Sequence, residues 1–386
     1  MGARDLGLTR NIAFVSLAVG LLVIGFNLST SLLVIYLSRL GLDVTIAGSV
    51  ITVARLALAL VMLPSGVVVH KLGHRAPVVW SFAMCTASLL LMALTSDPLA
   101  FSLLVVLLFV GSAMYGPPIA SYISRASVSG RVALAFGWFY SITTLAQVTG
   151  QTFSGLIAQL LGYRAMFALG GLISLGALVI VTLLLKGEDG NAGNHLLMTL
   201  GDFREGMRFF LENGSVRRLT LSLTFHSVGF LTSYTFVPLV ASVDQGFDEI
   251  TIGLLLATWS VGNAILQIPF GGIADRLGGY RILFAHVFLS SAIWWVYPFV
   301  KSLPLAFAVM AAQGLVGAMD MPARRLMMKE VSEEDFAKAV GVLDSVTTLA
   351  GSAGPFIAGV LWNYGHWVPF AFGSLINLLS LVLLTR

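Results

Sequence analysis

Long apolar runs follow one another almost from end to end of this chain, and few folds tolerate that. Hydrophobic residues make up 57% of the 386 positions and charged residues 10%, where a soluble domain averages about 25% charged. A membrane helix takes about 20 mostly apolar residues. Read on that basis, the chain holds twelve spans, near 12–37, 45–69, 77–96, 99–122, 132–161, 164–185, 218–243, 250–274, 281–300, 304–328, 335–363 and 366–385. The runs are unbroken where barrel strands would alternate, so the spans are helices. The first run is too long for a signal peptide, and many more spans follow it. One cysteine, Cys85, leaves no intramolecular disulfide to form.

The spans come in two matching sets. A polar stretch, Pro64-Ser65-Gly66-Val67-Val68-Val69-His70-Lys71-Leu72-Gly73-His74-Arg75, stands between the second and third runs. Another, Pro269-Phe270-Gly271-Gly272-Ile273-Ala274-Asp275-Arg276-Leu277-Gly278-Gly279-Tyr280-Arg281, stands between the eighth and ninth, 205 positions on (269 − 64). Both are expected as short polar turns. The same offset pairs Thr30 with Thr235, Gly41 with Gly246, Asp43 with Asp248 and Gly48 with Gly253. At 204, Thr143-Thr144-Leu145-Ala146 recurs as Thr347-Thr348-Leu349-Ala350. The chain is a duplication: an all-α membrane protein of twelve transmembrane helices in two pseudo-symmetric six-helix bundles, 1–185 and 218–386. The segment 186–217 between them is a flexible linker followed by an amphipathic helix, in which Leu200, Phe203, Met207, Phe210 and Leu211 recur at helical spacing.

Basic residues set the orientation. Of the 22 Lys and Arg, only Arg39, Arg164 and Lys301 fall on one side and Arg55 within a span, which leaves 18 on the other (22 − 3 − 1). The crowded side is cytoplasmic and holds both termini. The expected location is the plasma membrane.

The second polar stretch resembles the G-x-x-x-D-R-x-G-x-R-R loop of the major facilitator superfamily, through Gly271, Asp275, Arg276, Leu277, Gly278 and Arg281. The first keeps Gly66, Lys71, Gly73 and Arg75, with His70 where the family usually has an acid. Gly354-Pro355-x-x-Ala358-Gly359 is similar to the family's antiporter motif. That motif usually sits in the fifth helix, where Gln151 here replaces the proline. The resemblance, closest to the drug–proton antiporter branch, implies a secondary transporter working by alternating access. It places helices one, four, seven and ten around a central cavity, so Asn27, Tyr115, His226, Tyr234 and Gln313 become substrate-cavity candidates, with Asp320 beside them. It also packs helix two against helix eleven. Two family features are missing, an arginine in helix four and an acid in helix one, where Asn27 stands.

Ionisable residues inside spans are costly and point to function. The second half has two acids, Asp320 and Asp344, whose counterparts in the first half are Tyr115 and Tyr140. Asp320 has a local alternative, an i,i+4 pair with Arg324. Arg55 lies about ten residues, ~15 Å, from the outer end of its span, and Asp344 about nine residues, ~14 Å, from the inner end of its own. In a core of ~30 Å these depths coincide, and with helix two packed on helix eleven, as the resemblance implies, an Arg55–Asp344 ion pair between the bundles is expected; the alternative partners are Asp320 for Arg55 and a hydroxyl for Asp344. His226 is read as a lone histidine facing a neighbouring helix. At the cytoplasmic ends, the basic stretch at His70, Lys71 and Arg75 and the acids Glu333 and Asp335 suggest a gate, with Asp275 and Arg131 reversing the signs in the other half. His70 and His74 have metal-ligand spacing, but they flank a glycine turn, so no metal is expected.

No nucleotide-binding, metalloprotease or nucleophile-elbow motif is present, so an enzyme is not expected and no cofactor is called for. The expected function is proton-coupled export of a hydrophobic or amphipathic small molecule by a monomer in lipid, with protons taken by Asp320, Asp344 or His226. Nucleic acid is not an expected partner. Two rivals stand beside it: uptake or exchange of a small organic anion, suggested by Arg55, and a non-transporting membrane sensor.

Overall fold

The computed structural model describes residues 9–127, 132–185, 200–320, 324 and 333–384, with 63–72, 133, 200, 202, 203, 206, 209, 267, 268, 271 and 333–340 described by backbone alone. Among them the elements are helices, with no strand. In chain order these are α1 (Arg10–Thr30), α2 (Leu33–Arg39), α3 (Val44–Leu72), α4 (Arg75–Leu94), α5 (Pro98–Met114), α6 (Gly116–Ala126), α7 (Val132–Leu161) and α8 (Tyr163–Leu184). Then come α9 (Leu200–Glu212), α10 (Gly214–Tyr234), α11 (Val237–Val243), α12 (Glu249–Leu277), α13 (Gly279–Val296), α14 (Leu303–Gly317), α15 (Glu333–Gly351), α16 (Gly354–Trp362) and α17 (Val368–Leu384). Nine helical stretches among the described residues are long and apolar enough to cross a membrane, and Leu303–Gly317 and Val368–Leu384 are shorter apolar helices. The amphipathic helix of the linker is α9, where Arg208 donates to Glu212 at 2.9 Å.

Several expected spans are interrupted. The first breaks after Thr30, the fourth at Tyr115, the seventh at Thr235–Phe236 and the eleventh at Ser352–Ala353. Three of these restarts carry proline in the first helical turn: α6, α11 and α16. Proline has no N–H to give and suits that position. The polar stretches are corrected in the opposite sense. They are not turns: residues 64–72 continue α3 and 269–277 continue α12, with Pro269 inside the helix. Only the glycines at their ends leave helical geometry, Gly73 at φ 71° and Gly278 at φ 89°, a region that favours glycine.

The chain forms two compact units, Met1–Leu33 with Ala57–Leu200, and Val34–Leu56 with Gly201–Arg386. In the first, α1 packs on α7 and α8, and α4 on α5 and α8. In the second, α10 packs on α15 and α17, α12 on α14, and α13 on α17. The outer part of α3 belongs to the second unit, where Thr45 Oγ1 donates to the Gly359 carbonyl (3.1 Å), Asn363 Nδ2 to Thr45 Oγ1 (2.9 Å) and Phe356 N to Thr52 Oγ1 (2.9 Å). The contact of helix two with helix eleven, expected from the resemblance, is therefore present.

Both units use the same seam. A Cβ on Gly25 of α1 would stand 2.5 Å from the Gly170 carbonyl oxygen of α8, and one on Gly229 of α10 would stand 2.5 Å from the Gly373 carbonyl oxygen of α17. These helices touch backbone to backbone, as small residues permit in lipid. A second seam repeats as well: Gly150 lies against Asn27 and Leu28, and Gly354, 204 positions later (354 − 150), lies against Leu231 and Thr232.

Candidate functional site

The second unit holds a buried polar chain that crosses four of its segments. His226 of α10 and His286 of α13 are 4% and 3% exposed. Their Nε2 atoms are 3.2 Å apart. His286 Nδ1 is 2.8 Å from the Val316 carbonyl oxygen. A carbonyl only accepts, so Nδ1 carries the proton, and in neutral His286 Nε2 is the bare acceptor. His226 then supplies the Nε2–H between the rings, and its own Nδ1 is left bare. That Nδ1 is buried, and the side chain facing it is the Asn377 amide of α17, whose two polar atoms make no other hydrogen bond among the described residues. On the other side, His286 Nε2 is 3.9 Å from Asp320 Oδ1, which accepts from Arg324 Nε at 2.6 Å.

The local alternative for Asp320 is thus correct, since it pairs with Arg324 one turn on. His226 is not the lone histidine expected. Its partner His286 is absent from the sequence candidates, although a histidine inside an apolar run was itself the available signal. Ligand atoms of His226, His286 and Asp320 lie within 4.8 Å of one another, a spacing a metal could bridge. However, a divalent ion there would sit beside the Arg324 guanidinium, and desolvated like charges repel strongly. The cluster suits protons better than a metal.

The first unit carries the counterpart of each member. At offsets of 203 to 205, His226 corresponds to Leu22, His286 to Ser81, Asp320 to Tyr115, Arg324 to Ile119 and Asn377 to Ser174. Ser81 donates to the Gly111 carbonyl at 2.6 Å, as His286 does to that of Val316. The hydrogen-bond plan is kept and the charge is not.

The other cavity candidates lie as follows. Asn27 donates to the Val23 carbonyl at 2.9 Å on its own helix. Tyr115 sits at the α5–α6 break, edge-on to Phe82 with ring centres 6.2 Å apart. Gln313 donates to Ser290 Oγ at 2.8 Å, and its Oε1 is buried without a partner. Tyr234 stacks on Phe230 (5.3 Å, 11°) and tilts against Trp259 (4.9 Å). Phe230 in turn reaches His226 at 6.2 Å.

The expected Arg55–Asp344 ion pair is not formed among the described residues. Arg55 Nε is buried without a hydrogen-bond partner. The contacts Thr45–Asn363 and Thr52–Phe356 give the register of the crossing. That register sets Arg55 level with residue 353, about nine residues or ~13 Å along from Asp344. The two residues do not meet because α3 is 29 residues long, longer than the hydrocarbon core, so equal distances from opposite helix ends are not equal depths.

Of the gate candidates, Gly73 and Gly278 make the turns, Arg75 opens α4 and donates to the Thr182 carbonyl at 2.9 Å, and Asp275, Arg276 and Arg281 are exposed. Arg131 lies outside the described residues. Gly66, His70, Lys71, Gly271, Glu333 and Asp335 lie in helices described by backbone alone.

The family model of the Major Facilitator Superfamily matches residues 15–248 and 219–386. The chain belongs to the Major Facilitator Superfamily. An uncharacterized MFS-type transporter of Methanocaldococcus jannaschii is 23% identical over 74% of this chain and 74% of its own length. The quinolone resistance protein NorA of Staphylococcus aureus is 25% identical over 36% of each chain. Among solved structures, the nucleoside transporter NupG (D323A mutant) superposes with a TM-score of 0.76 at 13% identity, covering 97% of this chain and 98% of that one. A POT family transporter in complex with a thioalcohol conjugated peptide gives 0.77 at 12%, covering 97% and 96%. At such identities the likeness is one of fold. The chain is a membrane-spanning MFS transporter and not an enzyme.

Proposed function

We propose that this MFS transporter exports hydrophobic or amphipathic small molecules across the plasma membrane in exchange for protons, with both termini in the cytoplasm. In this reading it is a monomer of twelve spans, and its two six-helix bundles, 1–185 and 218–386, alternate access to a substrate between them. The observation that carries proton coupling is the His226–His286 contact beside the Asp320–Arg324 pair. Every proton position in that chain is taken except one. A proton arriving on His226 Nδ1 faces the Asn377 amide, whose carbonyl oxygen can accept from it. The imidazolium so formed sits in the same buried cluster as Asp320, which must then divide itself between Arg324 and the histidines. Protonation thereby loosens the Asp320–Arg324 pair, and a change in local pairing is what a two-state transporter needs at its coupling site. The part-length likeness to a quinolone resistance protein supports the reading.

The test is flux in inside-out vesicles loaded with the chain. Acidifying the interior should drive accumulation of a lipophilic fluorescent dye, and a protonophore should collapse it. His226→Leu, which installs the residue of the first repeat, should leave the protein folded while abolishing accumulation. If the His226→Leu protein accumulates dye at the wild-type level with an unchanged pH profile, the cluster is not the coupling site.

A further inference from the structure

Arg55 is the part of the second unit that the coupling cluster does not use. Its Nε is buried and unbonded, and among the described residues its guanidinium has no ion-pair partner. An arginine keeps its charge in any environment a protein offers, and a charge held at membrane depth without an anion is unstable. Three features surround it. Tyr234 is the ionisable group near enough to act on its charge. Trp259, against Tyr234, has its own buried Nε1–H without an acceptor. The restart of the helix at Gly354 is level with Arg55 in the α3–α16 register, so the positive end of the α16 dipole has the same sign. Two unspent donors and a cation therefore stand beside an aromatic ladder of Trp259, Tyr234 and Phe230 that ends on His226.

We propose that Arg55, with Tyr234 and Trp259, binds an aromatic molecule carrying one negative charge, such as a carboxylate. The ring lies on Tyr234 and Trp259, and the carboxylate takes the guanidinium fork, a geometry that arginine matches and lysine does not. This rests on the transporter reading and narrows its amphipathic substrate to an anionic one. The ladder also gives the bound anion a route of packed rings to the proton site, through Phe230.

Three probes of one shape separate the possibilities: 2-naphthoate, 2-naphthamide and 2-naphthylmethylamine. The measurement is the melting temperature of the purified full-length chain in detergent at fixed pH, titrated with each. For the wild type, naphthoate should stabilise at concentrations on the order of tenfold or more below naphthamide, since bonds to a charged group are the stronger ones. The amine should be weakest. Arg55→Gln should erase the preference for naphthoate over naphthamide. Arg55→Lys, which keeps the charge and covers the chance that Arg55→Gln fails to fold, should retain the preference with weaker binding. Equal stabilisation by acid and amide, a preference for the amine, an unaltered preference in Arg55→Gln, or no stabilisation by any probe would each overturn the proposal. The reading is at equilibrium and involves no gradient, so it stands or falls apart from proton coupling and export, which the vesicle flux decides.

Discussion

A buried acid is only as stable as what faces it. Asp320 holds Arg324 at 2.6 Å and both side chains are largely buried. Removing one partner of such a pair costs on the order of 3–5 kcal/mol, because the other charge is left behind. Asp320→Asn should therefore lower the melting temperature of the purified protein clearly, and adding Arg324→Leu should recover most of the loss. A single variant as stable as the wild type, or a double variant worse than the single, would show that the pair does not hold this part of the unit together. The histidines behave differently. Neither carries a charge in the neutral chain, so His226→Leu and His286→Phe should cost little stability and act on pH dependence instead.

At the scale of the helix, the glycine seams make the sharpest demand. A side chain on Gly229 meets the Gly373 carbonyl oxygen of α17 at 2.5 Å, with the Asn377 side chain beside it at 2.6 Å, and since the carbonyl cannot swing aside the helices must part. Gly229→Val should lower stability by about 1–3 kcal/mol or more, while Gly176→Val, where a Cβ meets nothing within 4 Å, should be close to neutral; thermal unfolding of the two variants compares them directly. The duplication and the amphipathic α9 were legible in the sequence because each leaves a periodic or repeated mark. The helix breaks were less so. Apolar runs pass through Tyr115, Thr235 and Ser352 without a change of composition, and the mark was the proline just beyond each. The Arg55–Asp344 pair was misjudged for a related reason: depth counted along a helix fixes height only if the helix ends at the membrane edge, and α3, at 29 residues, is longer than the hydrocarbon core. Of the candidate cluster, Asp320, Arg324 and His226 were visible. His286 was missed because no spacing rule links residues 60 positions apart in different helices.

Across the whole molecule the two units share a plan and differ in charge, so the first unit serves as the pattern for a neutral form of its sister. Replacing the cluster by its counterparts, His226→Leu, His286→Ser, Asp320→Tyr, Arg324→Ile and Asn377→Ser, should give a chain that folds and still exchanges dye down its own gradient. It should no longer concentrate dye when a pH difference is imposed. A counterflow assay beside the proton-driven assay checks both halves of this, and a replaced chain that still responds to the pH difference would move the coupling elsewhere. The glycine crossing between α1 and α8 and that between α10 and α17 also carry a date. They occupy matching positions in both copies, so they were already present in the single ancestral half before it doubled. The histidines and their acid stand in one copy alone, so they were gained or lost afterwards. Packing is common to the two copies, and the buried Asp320–Arg324 pair with its histidines belongs to one of them.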